Sequence, residues 1–326
     1  MKQSWLLLPL LSLWLCACEE PFSPKAPFEP RTVVTCIVST QGGYPYITAT
    51  VSQTYDVEGM DPMTNTKDPC DTSAVVRVTI DGIKYLLQRK SAVRRDSSRY
   101  HTREYRYDGV GALSALGSRT MVLEVTTGEG RKLSAATKLP IAKTVDDDYR
   151  FPTGVTAETV QKKWTFSWDD GGQEGDELYF PQMLLYYSIE GDTGYSRTAE
   201  IPLTYIEKDR KQIPVYPTHT REKKISYDFA ALSRAIASIS AGDSIKSRYH
   251  IQTLSFTLIQ FDDHLSRYYA SMHGYLDAYS IRVDETTYSN INGGIGIFGS
   301  YVWNYRTYPL KEQYIRSFGY QLTGTR

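Results

Sequence analysis

Residues 289–303 read SNINGGIGIFGSYVW and hold four glycines within seven positions. Gly294, Gly296 and Gly299 have the G-x-G-x-x-G spacing of a dinucleotide-binding loop. Such a loop lies between a strand and a helix in a βαβ unit, with an acidic residue about 20 positions further on. Here the residues that follow are strand-like, and Pro309 would stop a helix. The stretch therefore predicts a strand whose small residues allow a bulge or the close approach of another element. We expect no nucleotide and no other cofactor.

Short strand patterns also fill the first half of the chain. A β-branched run is followed by residues 44–55, which alternate and place Tyr46 on one face of a strand. Asp81-Gly82 is a strong turn pair between two further strand patterns. Short strands at this spacing predict a β-sandwich, immunoglobulin-like or prealbumin-like, over residues 31–143.

A second β-rich domain is predicted over residues 144–326. Trp164, Phe166 and Trp168 alternate on one face of a strand. This pattern resembles the strand pair that buries the tryptophan of a fibronectin-type sandwich. The two domains together predict a mainly β fold made of two consecutive immunoglobulin/fibronectin-like β-sandwiches.

Two short helices interrupt the β pattern of the C-terminal domain. Apolar residues recur at helical spacing near residues 228–240 and near residues 262–278. Asp262 or Asp263 would cap the second helix. Residues 286–326 predict strands and turns.

Residues 1–17 have the pattern of a lipoprotein signal peptide. Lys2 precedes an apolar block of eleven residues, which is shorter than the roughly 20 residues that a membrane-spanning helix needs. The sequence Leu-Cys-Ala-Cys that ends at Cys18 resembles a bacterial lipobox. We therefore expect cleavage before Cys18 and lipidation of its thiol, with an ordinary signal peptide as the alternative. Two or more acyl chains would hold the protein stably on a bilayer.

The segment after the lipobox predicts an exposed tether. Glu19 and Glu20 resemble a surface-export signal, although a merely solvated acidic linker is the other interpretation. Four prolines between residues 21 and 30 exclude a helix or a central strand. Residues 18–30 are thus the predicted lipidated cysteine and its proline-rich tether.

Charge and cysteine content restrict the partners. Without residues 1–17 the chain has one fewer basic than acidic side chain, which argues against nucleic-acid binding. Cys36 and Cys70 are the cysteines that remain beside Cys18. In an oxidising compartment they could form one disulfide, or they could be two separate thiols.

Few residues suggest chemistry. Asp262, Asp263 and His264 are adjacent and could bind a metal, but acids at a helix N-terminus explain them better, and we expect no metal site. No catalytic motif stands out, so we expect no enzyme.

An aromatic group near the C-terminus is the candidate binding site. Alternation places Tyr301, Trp303 and Tyr305 on one face of a strand. An exposed face would be a stacking platform for sugars or peptides, and a buried face would be sandwich core. The core interpretation is preferred.

The pieces together resemble a known family. The lipobox cysteine, the proline-bearing tether, the first strand VVTCIVST and the closing SNINGGIGIFGSY are similar to the Bacteroidota lipoproteins called domain of unknown function 4249. The resemblance covers nearly all of the mature chain and is loose over residues 145–245. The family has no established catalytic residues, so none is carried over.

The resemblance implies a location and a role. Family members are accessory outer-membrane lipoproteins, often encoded beside TonB-dependent transporters. We therefore expect a lipid-anchored outer-membrane protein at the cell surface that binds a TonB-dependent transporter, a ligand, or both. A fimbrial or adhesive surface protein and an envelope hydrolase are the alternatives.

Overall fold

The computed structural model describes residues 27–41, 44–57, 59, 61–110, 119–148, 153–156, 161–168, 177–192, 196–273 and 288–323. Half of the chain is strand and 12% is helical, so the prediction of a mainly β fold is confirmed. The strands are β1 (Thr32–Gln41), β2 (Tyr44–Gln53), β3 (Val75–Ile80), β4 (Ile83–Leu86), β5 (Gln88–Ala92), β6 (Glu104–Val110), β7 (Arg119–Thr126), β8 (Lys132–Leu139), β9 (Asp146–Asp147), β10 (Lys163–Ser167), β11 (Tyr179–Ile189), β12 (Arg197–Glu200), β13 (Thr204–Lys208), β14 (Lys211–Val215), β15 (Lys224–Asp228), β16 (Tyr249–Phe261), β17 (Ile295–Tyr308) and β18 (Gln321–Leu322). The α-helices are α1 (Phe229–Ser238), α2 (Asp263–His273) and α3 (Glu312–Arg316).

One large sheet runs through both halves of the chain. Its order is β12-β11-β16-β17-β1-β2-β6-β5, and β18 pairs with β16. A four-stranded sheet, β4-β3-β7-β8, belongs to the first half, and a three-stranded sheet, β15-β10-β9, belongs to the second. A separate hairpin joins β13 and β14.

Strand β17 connects the two halves because its two ends have different neighbours. Residues 295–302 pair in parallel with β1. Residues 301–308 pair antiparallel with β16. A strand of 14 residues spans about 46 Å, which is long enough to enter both sandwiches in turn. The two predicted sandwiches therefore share one continuous sheet.

The glycines of residues 289–303 make this pairing sterically feasible. Gly296 has φ +123°, and a Cβ there would overlap the carbonyl oxygen of Val34 on β1. A Cβ on Gly299 would lie 2.9 Å from Cβ of Leu265 on α2. Side chains at these positions would push β1 or α2 away from β17. The prediction that the glycines allow close approach is confirmed.

Each half has its own buried core. In the first, Val34, Cys36 and Val38 of β1 face the four-stranded sheet. In the second, Trp164 and Phe166 pack with α1 against β11 and β16. The predicted buried aromatic face is confirmed, since Trp164, Phe166 and Trp168 are at most 1% exposed.

The predicted helices are present with small differences. The first was expected near residues 228–240 and begins one residue later, with Asp228 as N-cap. The second was expected near residues 262–278 and is helical over Asp263–His273, while residues 274–278 lie outside the described part. Helix α3 was not predicted, because residues 286–326 read as strands and turns. It forms where Tyr314 and Ile315 are buried against the second core.

Candidate functional site

The aromatic group of β17 lies on the outer face of the large sheet. Trp303 is 39% exposed and Tyr305 is 55% exposed. Tyr301 is partly buried, with its ring centroid 6.1 Å from that of Phe261. The preferred core interpretation is therefore wrong for Trp303 and Tyr305. The sandwich cores take the opposite face of β17, including Val302.

The sheet register extends this face across β1 and β2. Tyr301 lies beside Ser39, and Ser39 pairs with Tyr46. Tyr46 is 41% exposed, and Tyr44 on the same face is more exposed still. Two strand spacings place the backbones at residues 301 and 46 about 10 Å apart. We call Tyr44, Tyr46, Tyr301, Trp303 and Tyr305 the aromatic face.

Tyr44 and Tyr46 were not predicted to belong to this site. Alternation did place Tyr46 on one face of its strand. Its nearness to Tyr301 depends on the pairing of β1 with β17, which joins opposite ends of the chain. No local pattern reports that pairing.

The direct register partners of the aromatic face are uncharged, and they include the apolar Ile259 beside Trp303 and Val110 beside Tyr46. Ser39 separates Tyr301 from Tyr46, and Thr257 lies beside Tyr305. Strand β6, which pairs with β2, carries an ion pair between Arg106 and Asp108 at 2.9 Å. Tyrosine and tryptophan combine a large apolar body with one polar group. The aromatic face can therefore stack on an apolar or planar partner and hydrogen-bond to it without a charge requirement.

The Asp262 carboxylate lies buried where the two halves meet. One oxygen, Oδ2, accepts hydrogen bonds from Thr137 Oγ1 (2.6 Å) and from the Ser300 main-chain N–H (2.6 Å) and hydroxyl (2.9 Å). The other, Oδ1, accepts from the Leu265 N–H at 2.7 Å. Thr137 belongs to β8 and Ser300 to β17, so one carboxylate holds the start of α2 against both. We call this group the Asp262 network.

The hydrogen bonds of Asp262 and His264 favour a helix cap over a metal site at these residues. Asp262 is the N-cap of α2, because it accepts the N–H of Leu265, so the capping prediction is confirmed. His264 Nδ1 shares a hydrogen bond with the hydroxyl of Tyr288. In the described part of the chain, no three His, Cys, Asp or Glu side chains form a group that could hold a metal. Burial raises the pKa of the Asp262 carboxyl, and its hydrogen bonds oppose that rise.

The structure does not bring Cys36 and Cys70 together. Both thiols are free, with Cys36 fully buried in the first core and Cys70 half-buried. Cys36 pairs with Ala49 of β2, whereas Cys70 pairs with Ser52 from the other side of that strand. Three residues along an extended strand and two strand spacings exceed the roughly 7 Å that a disulfide tolerates between Cα atoms. Cys18, the predicted lipidation site, lies outside the described residues.

Comparisons with known proteins add no identity. The chain matches no protein-family model and no curated protein. Within the described residues no helix is long and apolar enough to cross a membrane.

Proposed function

We propose that this protein is a non-enzymatic lipoprotein of the outer membrane that binds a TonB-dependent transporter at the cell surface. The lipid on Cys18 anchors it, and the aromatic face docks on the transporter as an accessory component of nutrient uptake. The exposure of Trp303 and Tyr305 on the same sheet face as Tyr46 is the observation that carries this proposal.

The chemistry of the aromatic face supports protein docking. Tyrosine and tryptophan are enriched among the residues that dominate interface energies, because they bury much area with few rotatable bonds. Five such residues lie on the same face of one sheet, on strands β2 and β17, which β1 separates. A rigid surface loses little conformational entropy on binding, so more of the contact energy appears as affinity.

The predicted tether supports a location close to the membrane. Residues 18–30 span at most about 40 Å when extended as a proline-rich segment. A lipid on Cys18 would therefore hold β1 within about 40 Å of the bilayer. At that distance the sandwich can touch a transporter in the same membrane without leaving its anchor.

The test is co-purification from native membranes in mild detergent with Cys18 intact. Wild type should retain a TonB-dependent transporter, and the double variant Trp303→Ala/Tyr305→Ala should lose it. Tyr216→Ala is the matched control, since Tyr216 is 43% exposed but lies after β14, off the aromatic face. If no transporter accompanies wild type, or if the double variant retains it as well as the control does, the proposal is refuted.

The anchor is tested by itself. Cys18→Ala should release the protein from the membrane fraction, because no acyl chain can be attached. A Cys18→Ala variant that stays in the membrane fraction would contradict lipid anchoring and leave the aromatic face to be tested on its own.

A further inference from the structure

A cleft of about 510 Å³ lies between the end of β8 and the start of α2. One wall comes from the first half of the chain, with Lys138 and Leu139, and the other from the second half, with Asp263 and Arg267. The volume lies within the range of small-molecule sites, which occur preferentially between domains. The cleft is separate from the aromatic face, which involves none of these residues.

Several charged groups of the cleft already have partners. Lys143 Nζ lies 3.7 Å from Glu177, which also accepts a hydrogen bond from the Tyr179 hydroxyl. Asp262 is saturated by its own network. These groups shape the floor of the cleft and are not free to bind a ligand.

Other charges of the cleft have no such partner in the part of the chain that the structure describes. Lys138 and Asp263 are exposed, and neither side chain makes a hydrogen bond or ion pair with another described residue. The exposed Arg267 lies one turn after Asp263 on α2, so both side chains project from the same side of the helix.

The balance of charges indicates a dipolar ligand. The lining holds three Lys or Arg and three Asp or Glu side chains, so it offers no net field to a strongly charged molecule. Two cations face the cleft from opposite walls, with one carboxylate beside them. This set complements a molecule that carries one carboxylate and one ammonium. The exposed Ile141 adds apolar surface beside the charges.

We infer that the cleft binds a short peptide with free termini. Lys138 and Arg267 hold the terminal carboxylate, and Asp263 holds the terminal ammonium. The exposed Ile141 contacts the peptide side chains. The Asp262 network keeps β8 and α2 at a fixed separation, so the two walls are in place before the ligand arrives.

Calorimetry on the intact lipoprotein in detergent tests this inference with three probes. These are trialanine, its C-terminal amide and its N-acetyl derivative. Trialanine should bind saturably. The N-acetyl form should bind about tenfold more weakly, because it loses the charge-assisted contact with Asp263. The amide should bind at least about tenfold more weakly, because it loses the contacts with Lys138 and Arg267. Arg267→Gln should weaken trialanine about tenfold while leaving the amide unchanged, since the amide lacks the carboxylate that Arg267 binds. Asp263→Asn should weaken trialanine about tenfold while leaving the N-acetyl form unchanged, since that form lacks the ammonium that Asp263 binds.

The control is Arg316→Gln, which removes an exposed guanidinium on α3 and should leave trialanine binding unchanged. Absence of saturable trialanine binding, equal binding of all three probes, or normal binding by Arg267→Gln and Asp263→Asn would overturn the inference. Trp303→Ala/Tyr305→Ala should bind trialanine normally. The peptide site and the proposed transporter contact can therefore fail independently.

Discussion

Removing the carboxylate of Asp262 should destabilise the fold far more than removing that of its neighbour Asp263. In Asp262→Ala, the main-chain N–H groups of Ser300 and Leu265 and the hydroxyl of Thr137 lose their acceptor. The Ser300 hydroxyl retains the carbonyl oxygen of Lys138 at 3.2 Å. Each buried donor left without an acceptor costs about 1–3 kcal/mol.

Relief of a buried charge offsets part of that loss. Asp262 is only 5% exposed, and its burial disfavours the ionised form. Since three donors are left without an acceptor, we expect a net loss of about 3 kcal/mol, at the lower end of what breaking a buried charged group costs. Asp263→Ala removes the same charge from an exposed position and should lose only the helix-dipole contribution, about 0.3–1 kcal/mol.

Urea unfolding followed by circular dichroism measures both variants against wild type. Because Asp262 joins residues of both halves, its replacement should lower the unfolding midpoint of the whole β signal. If the free energy of unfolding of Asp262→Ala lies within about 0.5 kcal/mol of that of Asp263→Ala, the Asp262 network does not hold the halves together.

The same carboxyl predicts a pH dependence with a definite sign. Burial raises the folded-state pKa of Asp262 above its unfolded value, so the folded protein binds the proton more tightly. This contribution to stability is present below the ordinary aspartate pKa of about 3.9 and is lost as the pH rises through the folded pKa. The side chain of Asp262→Asn does not titrate. The free energy of unfolding of wild type minus that of Asp262→Asn should therefore be larger at about pH 4 than at pH 7. A difference that grows towards pH 7 would show that the hydrogen bonds outweigh burial.

Three further outcomes are expected. Gly296→Ala should cost at least about 3 kcal/mol in urea unfolding, because a Cβ would overlap β1, whereas Gly191→Ala, with positive φ but open space, should cost about 1–2 kcal/mol. Trp303→Ala should lower the free energy of unfolding by less than about half of the 3–5 kcal/mol expected for the buried Trp164→Ala. Equal losses for the two variants would show that Trp303 is a core residue. Iodoacetamide should leave Cys36 unmodified in the native protein and alkylate it in urea without a reductant, and a requirement for reductant would indicate a disulfide.

Local patterns predicted much of the fold. Phe229, Leu232 and Ile236 recur at helical spacing and are buried on one side of α1. Trp164 and Phe166 alternate and are buried on one side of β10. Such patterns work because a helix or strand that packs on one core repeats its own period in the sequence.

Non-local pairing explains what sequence analysis missed. The pattern of β17 suits a core strand and an exposed strand equally well, because alternation does not say which face is covered. Its outer face is covered by α2 near Ile297 and Gly299, but the cover ends before Trp303. Helix α3 was missed for a related reason, since five residues are too few to show a helical period, and packing stabilises it instead.

Strand β17 pairs with β1 over residues 295–302 and with β16 over residues 301–308. The segment where these two pairings overlap lies next to both proposed sites. Ser300 lies just before this overlap and bonds both Asp262 and the main chain of Lys138, so it supports the cleft. Tyr301 is the next residue, on the opposite face, and begins the β17 part of the aromatic face. A substitution at either residue would shift both sites together, because they share one backbone segment. Independent evidence for each site must therefore come from side chains beyond this segment, Trp303 and Tyr305 on one side and Arg267 on the other.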